Sequence, residues 1–187
     1  NESAELASRG IMTTDTVPKT ASTTINIAGK EVCFWGMCKG AGMIHPNMST
    51  MLGFVFCDAA ITSEVLQKAL SDAIGDSFNM ISVDGDTSTN DMVTVLANGL
   101  AGNAVIDALE NDDYELFATA LKEICVSLAK QIVADGEGAT KLFAVKVINA
   151  PTTTDAKTIA RAVVSSSLVK AAMYGRDANW GRIACAA

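Results

Sequence analysis

Two hydrophobic rhythms alternate along the chain, and their order predicts strands and helices interleaved in one α/β unit. Thr23 to Ile27 and Glu31 to Gly36 are short β-rich runs on either side of Ala28-Gly29-Lys30, the pattern of a β-hairpin. Lys39 to Asn47 is too rich in glycine for regular structure, yet it carries apolar residues that a plain solvent loop does not need. Met51 to Cys57 is then a continuous apolar run suited to a buried strand. Beyond Thr62 or Ser63, either able to cap, Val65, Leu66, Ala69, Leu70, Ala73 and Ile74 recur at three- and four-residue spacing and predict a helix through Asp76. A longer helix is predicted from about Asp113 to Ala134, capped by Asn111 or Asp112 and stopped at Asp135-Gly136; Phe117, Leu121, Ile124, Leu128 and Ile132 lie on its stripe. Lys141 to Asn149 alternates as a strand does, and Asp155 to Ala172 returns to helical spacing. Pro151 and its following threonines mark a short turn, not a domain linker.

Composition narrows the class. With 187 residues, 49% hydrophobic and 19% charged, the chain has enough apolar surface for a sizeable core, which excludes disorder. A net charge of −7 and scattered single cations argue against a nucleic-acid partner, which needs a concentrated basic surface. Cys33, Cys38, Cys57, Cys125 and Cys185 form no CxxC pair and are odd in number, so reduced thiols and a cytoplasmic or organelle-matrix setting are expected. With a single histidine, no structural zinc is expected, and no metal is assigned. Asp84, Asp86 and Asp91 lack the ligand spacing of a calcium loop and read as caps and loop anchors. The start at Asn1-Glu2-Ser3 shows no signal-peptide pattern, and no apolar run approaches the ~18 residues of a membrane span.

The stretch from Lys39 to Phe56 carries the candidate chemistry, because a glycine-rich approach ends at Asn47-Met48-Ser49-Thr50 and passes directly into an apolar strand. If the Ser49–Thr50 bond were cut, Thr50 would present a hydroxyl and a free α-amine on one rigid element. An α-amine with a reference pKa of ~7.7 is partly unprotonated near neutrality and takes the hydroxyl proton as the threonine attacks an acyl group. The same hydroxyl makes the cut by attacking the preceding carbonyl, an N→O acyl shift that water completes. By local chemistry alone, a Ser-Thr pair ahead of a strand is common and reads first as an ordinary turn.

Five collinear motifs add a resemblance. Lys39-Gly-Ala-Gly-Met-Ile-His-Pro-Asn-Met-Ser-Thr-Met-Leu52 closely resembles the processing-site signature of the glutamate N-acetyltransferase/ornithine acetyltransferase family, which usually has alanine where Ser49 stands. Ile11 to Lys19, Asp84 to Asp91, Asp135 to Lys141 and Tyr174 to Arg182 are similar to further stretches of that family. The resemblance runs through essentially the whole chain, and the family's proteins extend beyond it on both sides.

The resemblance implies an α/β fold of stacked β-sheets flanked by helices, similar to the αββα sandwich of N-terminal-nucleophile hydrolases. It implies that residues 1–49 end an α-chain and residues 50–187 begin a β-chain, intertwined in one structural unit. Thr50 is then nucleophile and acetyl acceptor, Ser49 and Thr50 flank the cleavage site, and Thr13, Lys39 and Glu137 join Thr50 in contacting substrate. The implied reaction is acetyl transfer from N2-acetylornithine to L-glutamate in arginine biosynthesis, without a metal or redox cofactor. Some members take acetyl from acetyl-CoA, and the residues do not distinguish the two kinds. The implied assembly is an α/β heterodimer within a higher oligomer, located in the cytoplasm, or in the mitochondrial matrix of a fungus. Oxyanion-hole residues and further substrate contacts lie outside this chain. A related self-processing amidohydrolase or aminopeptidase, or an inactive scaffold fragment, are the alternatives.

Read without the resemblance, Thr13 is a turn hydroxyl, Lys39 a surface cation and Glu137 a solvated residue in a glycine turn. His45, beside Pro46, reads as a loop-shaping hydrogen bonder more than a base. Asp177, Asn179 and Trp180 read as a structured turn, and Gly136 and Gly138 as positions allowing close backbone approach around Glu137.

Overall fold

The computed structural model describes residues 2–47 and 50–187. Its centre is a four-stranded sheet in the order β1 (Lys19–Ile27), β2 (Lys30–Lys39), β3 (Leu52–Cys57), β4 (Met92–Ala97). The expected hairpin is present, longer than its β-rich centre suggested, and its two-residue turn places Ala28 at φ 49° and Gly29 at φ 82°. Two positive φ values give the turn whose twist matches that of paired strands. The Asn26 side chain fixes it by accepting from the Gly29 N–H at 2.9 Å.

β2 and β3 pair antiparallel, whereas β3 and β4 pair parallel. Parallel pairing requires a crossover, which α2 (Ser63–Gly75) supplies. A short helix α1 (Glu2–Gly10) precedes the sheet, and a 3₁₀ turn at Phe78–Met80 follows α2.

The 23-residue α3 (Asp112–Ala134) packs across β1 and β2 with α2 beside it. Its predicted cap is made: the Asn111 side chain accepts from the Tyr114 N–H at 2.6 Å. Residues alternating along the strands face this helix layer, so Val32, Phe34, Cys38, Val55 and Cys57 share one core with Phe117, Leu121, Ile124 and Leu128. Each such fully buried side chain contributes roughly 1.5–3 kcal/mol. Gly36 permits close docking, because a Cβ there would lie 3.0 Å from Leu128 and 3.1 Å from Ile124. The opposite face carries Trp35, Phe54, Phe56 and Leu96, the last two 39% and 49% exposed. The α/β class expected from sequence holds, and this helix-on-sheet layering is consistent with an αββα stack; among the described residues the named strands form one sheet.

Two expectations are corrected. Lys141 to Asn149 forms no strand, although exposure alternates from Phe143 to Ile148. An extended segment becomes a strand only by hydrogen bonding to a neighbour, and no described residues pair with this one. Asp155 to Ala172 is two helices, α4 (Thr153–Ser165) and α5 (Ser167–Gly175), separated at Ser166, whose φ −65° and ψ 118° are extended. Serine side chains compete for backbone groups, and Ser166 uses its hydroxyl to accept from the Val169 N–H. The turn at Asp177–Asn179 is structured as expected, with Asn179 capping α6 (Trp180–Ala186). All five thiols are free. Among the described residues no helix is long and apolar enough to cross a membrane, and no group of three or more His, Cys, Asp or Glu side chains is placed to hold a metal.

A buried ion cluster ties the edges of this layer together. Lys19 has no exposed side chain, and its ammonium sits 2.6 Å from Asp15 Oδ1 and 2.6 Å from Asp135 Oδ2. Burial alone would raise the Asp135 pKa. The bonds from Lys19 and Thr16 outweigh that and hold it at about 2, below the ordinary 3.8. Asp15 is lowered in the same way, its burial opposed by the Gly40 N–H, Lys19 and the Thr13 N–H. A carboxylate whose folded pKa lies below its unfolded value stabilises fully above the unfolded value and loses that contribution as pH falls through the folded one. Urea unfolding should therefore show stability dropping as pH falls from 3.8 towards about 2. Asp135→Asn should flatten that dependence. Lys19→Met, which strands two buried carboxylates, should cost about 3–5 kcal/mol at neutral pH.

Candidate functional site

The ion cluster is where the site begins. Asp15, while accepting from Lys19, also accepts from the Gly40 N–H at 2.7 Å through Oδ1 and from the Thr13 N–H at 3.1 Å through Oδ2. The turn bearing Thr13 is thereby bound to the residue that follows Lys39 at the end of β2. One step further, the Glu137 N–H donates to the Ala41 carbonyl at 2.9 Å. The Glu137 carboxylate lies over Gly42 so closely that a Cβ at Gly42 would sit 2.6 Å from its oxygens. The close approach expected around Glu137 is therefore provided by Gly42 facing it; Gly138 adds a left-handed turn at φ 70°.

Every residue from Gly40 to Pro46 except Gly42 has a partner from another part of the chain. The N–H groups of Met43 and Ile44 donate to the Asp84 carboxylate at 2.7 and 3.0 Å. The Ile44 carbonyl accepts from the Val83 N–H at 2.7 Å, and Thr87 donates to the His45 carbonyl at 3.0 Å. Ala41 and Ile44 are buried, which explains the apolar residues of this loop. Met43, at φ 55°, occupies the left-handed region uncommon for a side-chain-bearing residue, and Asp84 holds it there. Asp84 and Asp91 are thus the loop anchors expected: Asp91 accepts from the Met51 N–H at 2.7 Å.

His45 is the hydrogen bonder expected, with Nδ1 3.1 Å from Ser82 Oγ and Nε2 3.3 Å from Arg161 Nη2. Its pKa lies below the ordinary value because of burial first, then the charges of Arg161 and Lys170, opposed by Asp84.

Thr50 stands two residues before Leu52, the cross-strand partner of Lys39, at the mouth of the inner strand β3. Its hydroxyl donates to Asn90 Oδ1 at 3.0 Å, and the same oxygen accepts from the buried Ser88 hydroxyl at 2.9 Å. The amide carbonyl orients the Thr50 O–H and leaves the oxygen's lone pairs directed elsewhere. Thr50 Oγ1 also lies 3.9 Å from Met43 Sδ. Thr13, Glu137 and Thr50 are thus connected to Gly40, to Ala41 and Gly42, and to Met43, while Lys39 begins the same run. Lys39 and Glu137 take part in no ion pair among the described residues. Ser49, the other side of the expected cleavage site, lies outside the described residues.

Asn90, Arg161 and Lys170 were given no role by the sequence reading. Asn90 lies inside the Asp84 to Asp91 motif, which was the signal available for it. Arg161 and Lys170 belong to helices whose spacing says nothing of their partners. Three thiols offer no competing nucleophile: burial pushes Cys38 and Cys125 up to about 12 and Cys57 to about 11.

A helix layer on a sheet whose inner strand opens at an oriented threonine defines a class, that of α/β proteins similar to the N-terminal-nucleophile folds. The model of the ArgJ family matches residues 1–187, and the chain belongs to that family. It is 57% identical over 180 residues to the arginine biosynthesis bifunctional protein ArgJ of Symbiobacterium thermophilum, covering 96% of this chain and 44% of that protein. A mitochondrial relative of the same name from Dictyostelium discoideum is 54% identical over 180 residues, covering 96% of this chain and 41% of that protein. The chain thus spans less than half the length of these curated relatives. The crystal structure of the Bacillus halodurans protein of that name superposes with a TM-score of 0.71 at 54% identity, over 73% of this chain and 64% of that one.

Asp84→Ala removes the acceptor of two loop N–H groups, each left unpaired at a cost of about 1–3 kcal/mol. Hydrogen exchange read residue by residue should show the Met43 and Ile44 amides accelerating by about 10-fold or more while α3 amides remain protected.

Proposed function

We propose that the complete protein transfers acetyl from N2-acetylornithine to L-glutamate through an acetyl ester on Thr50, after cutting its own backbone between Ser49 and Thr50. The observation that carries this reading is the Thr50 hydroxyl, oriented by Asn90 at the mouth of β3, at the end of the stretch of chain that starts at Lys39 and to which Thr13 is attached through Asp15 and Glu137 through Ala41 and Gly42. Membership of the ArgJ family, and relatives named arginine biosynthesis bifunctional proteins, support the reading.

In the first step Thr50 Oγ attacks the carbonyl of residue 49, its proton passes to the departing nitrogen, and the peptide becomes an ester. Water then hydrolyses the ester, leaving a carboxylate at Ser49 and the α-amine and hydroxyl of Thr50. The pieces are residues 1–49, ending an α-chain, and residues 50–187, beginning a β-chain, and the bonds from Ala41 to Pro46 keep them together. In the second step the Thr50 amine takes the hydroxyl proton while Oγ attacks the N2-acetyl carbonyl. Ornithine leaves with that proton on its nitrogen. Glutamate enters, its amine gives up a proton to the same base and attacks the ester, the base returns that proton to the departing Thr50 oxygen, and N-acetylglutamate leaves the hydroxyl restored.

Both substrates are zwitterionic amino-acid derivatives. A lysine at the end of β2 and a glutamate in the turn after α3, neither in an ion pair among the described residues, suit a carboxylate and an ammonium respectively. No step requires a metal or redox cofactor, and acetyl-CoA is an alternative donor to the same hydroxyl. The assembly proposed is a higher oligomer of the α/β heterodimer in the cytoplasm or an organelle matrix; relatives labelled mitochondrial or chloroplastic support the second location.

Intact mass spectrometry of the full-length protein under denaturing conditions should show two pieces meeting at Ser49 and Thr50. Thr50→Ala should remain one chain and transfer nothing. Efficient cutting of that variant at the same bond removes Thr50 as the processing nucleophile. If water rather than glutamate resolved the ester, acetate would accumulate without glutamate; the expected product is glutamate-dependent N-acetylglutamate. Gly42→Ala should displace the Glu137 carboxylate, raising KM for the amino-acid substrate about 10-fold while moving Tm by no more than ~2 °C.

A further inference from the structure

Pro46 and Thr50, on either side of the bond to be cut, are each held by a side chain distant in sequence. Downstream, Thr50 is oriented by Asn90, and Met51 is fixed by Asp91. Upstream the hold comes from 115 residues further along the chain, where Arg161 on α4 donates from Nη2 to the Pro46 carbonyl at 2.7 Å. The same guanidinium donates from Nη1 to the Asn79 carbonyl and brings Nη2 to 3.3 Å from His45 Nε2. Arginine has donors only, so this contact is a hydrogen bond when His45 Nε2 is unprotonated. The ring proton then lies on Nδ1, directed at Ser82 Oγ 3.1 Å away. Lys170 on α5 fixes Ser82 in turn, donating to its carbonyl at 3.0 Å.

We propose that Arg161, acting with neutral His45, is a positioning residue for self-cleavage: it anchors the Pro46 carbonyl so that the bond ahead of Thr50 is presented to the Thr50 hydroxyl. The proposal rests on Thr50 being the processing nucleophile. An intramolecular attack depends on how narrowly the reacting groups are confined, and a segment tethered at one end samples far more geometries than one tethered at both. The charged groups facing His45 are Arg161, Lys170 and Asp84, and the two cations together with burial favour its neutral form. Before cleavage Thr50 has no free amine, so His45 is the group in this clamp whose charge changes on mild acidification, below the ordinary histidine value.

The test is the rate of cleavage of newly synthesised full-length protein, followed by mass spectrometry from pH 5 to 8, in wild type, Arg161→Met, Arg161→Lys and His45→Gln. Arg161→Met should slow cleavage about 10- to 100-fold. Arg161→Lys, which keeps one donor, should recover part of the loss. Wild type should slow as the pH falls through the lowered His45 pKa, on the acid side of an ordinary histidine, and His45→Gln, an acceptor that does not titrate, should lose that acid limb. An assigned His45 imidazole resonance should titrate at higher pH in Arg161→Met. Wild-type rates in both Arg161 variants, or an unchanged acid limb in His45→Gln, would overturn the clamp while leaving Thr50 in place. Should Arg161→Met fail to fold, the folded Arg161→Lys and His45→Gln proteins decide between these outcomes. If the uncut wild type persists, or Thr50→Ala is cut, the nucleophile assignment fails instead.

Discussion

The ammonium of Lys19, buried between the carboxylates of Asp15 and Asp135, joins three pieces that the chain order separates. Asp15 follows the turn of Thr13, Lys19 opens β1, and Asp135 caps the end of α3 two residues before Glu137. A lysine this deeply buried persists only when its charge is matched, and the spare acceptor capacity of Asp15 is spent on the Thr13 and Gly40 N–H groups. The position of the glycine-rich loop follows from this arrangement. Its first residue is attached to Asp15, its next carbonyl to Glu137, and Thr16 bonds to Asp135 through both backbone and side chain. Apolar packing of α3 on the sheet supplies most of the stability; the cluster supplies the registration between helix end, strand end and loop.

From that origin the loop is a chain of one-to-one attachments. Glycine content suggests mobility, yet bonds from Asp84, Val83, Thr87 and Arg161 fix the backbone at Met43, Ile44, His45 and Pro46. Glycine serves here to let other groups approach, as Gly42 does for the Glu137 carboxylate and Gly40 does for Ile44. A held loop ending at an oriented hydroxyl is the arrangement an intramolecular acyl shift favours, since confinement replaces collision.

The elements governed by local rules were legible in the sequence. The hairpin, β3, α2 and α3 follow from turn chemistry, a continuous apolar run and stripes of three- and four-residue spacing, and Asn111 and Asp135 bound α3 as their side chains suggest. The strand β4 was not anticipated, although Met92 to Ala97 is β-rich, because its parallel pairing with β3 depends on the intervening crossover. Alternation in 141–149 was visible, but a strand also needs a neighbour that alternation cannot specify. The helix from Asp155 broke where three consecutive serines, Ser165 to Ser167, weaken it. At the site, the threonine at the strand mouth and the aspartate anchors could be placed by motif and chemistry. Asn90 and Arg161 act across 40 and 115 residues, and no local pattern encodes such partners.

The contact at Gly36 gives α3 the character of a lever. Ile124 and Leu128 rest on the bare backbone of β2, and Asp135 lies seven residues beyond Leu128, roughly 10 Å along the helix axis. A single methyl group inserted at this fulcrum would tilt the rod, and the far end would swing where Lys19 receives it. Tolerance for side-chain volume beneath the middle of the helix is therefore set by alignment demanded at its tip, so a position remote from any substrate carries a geometric burden on behalf of the loop.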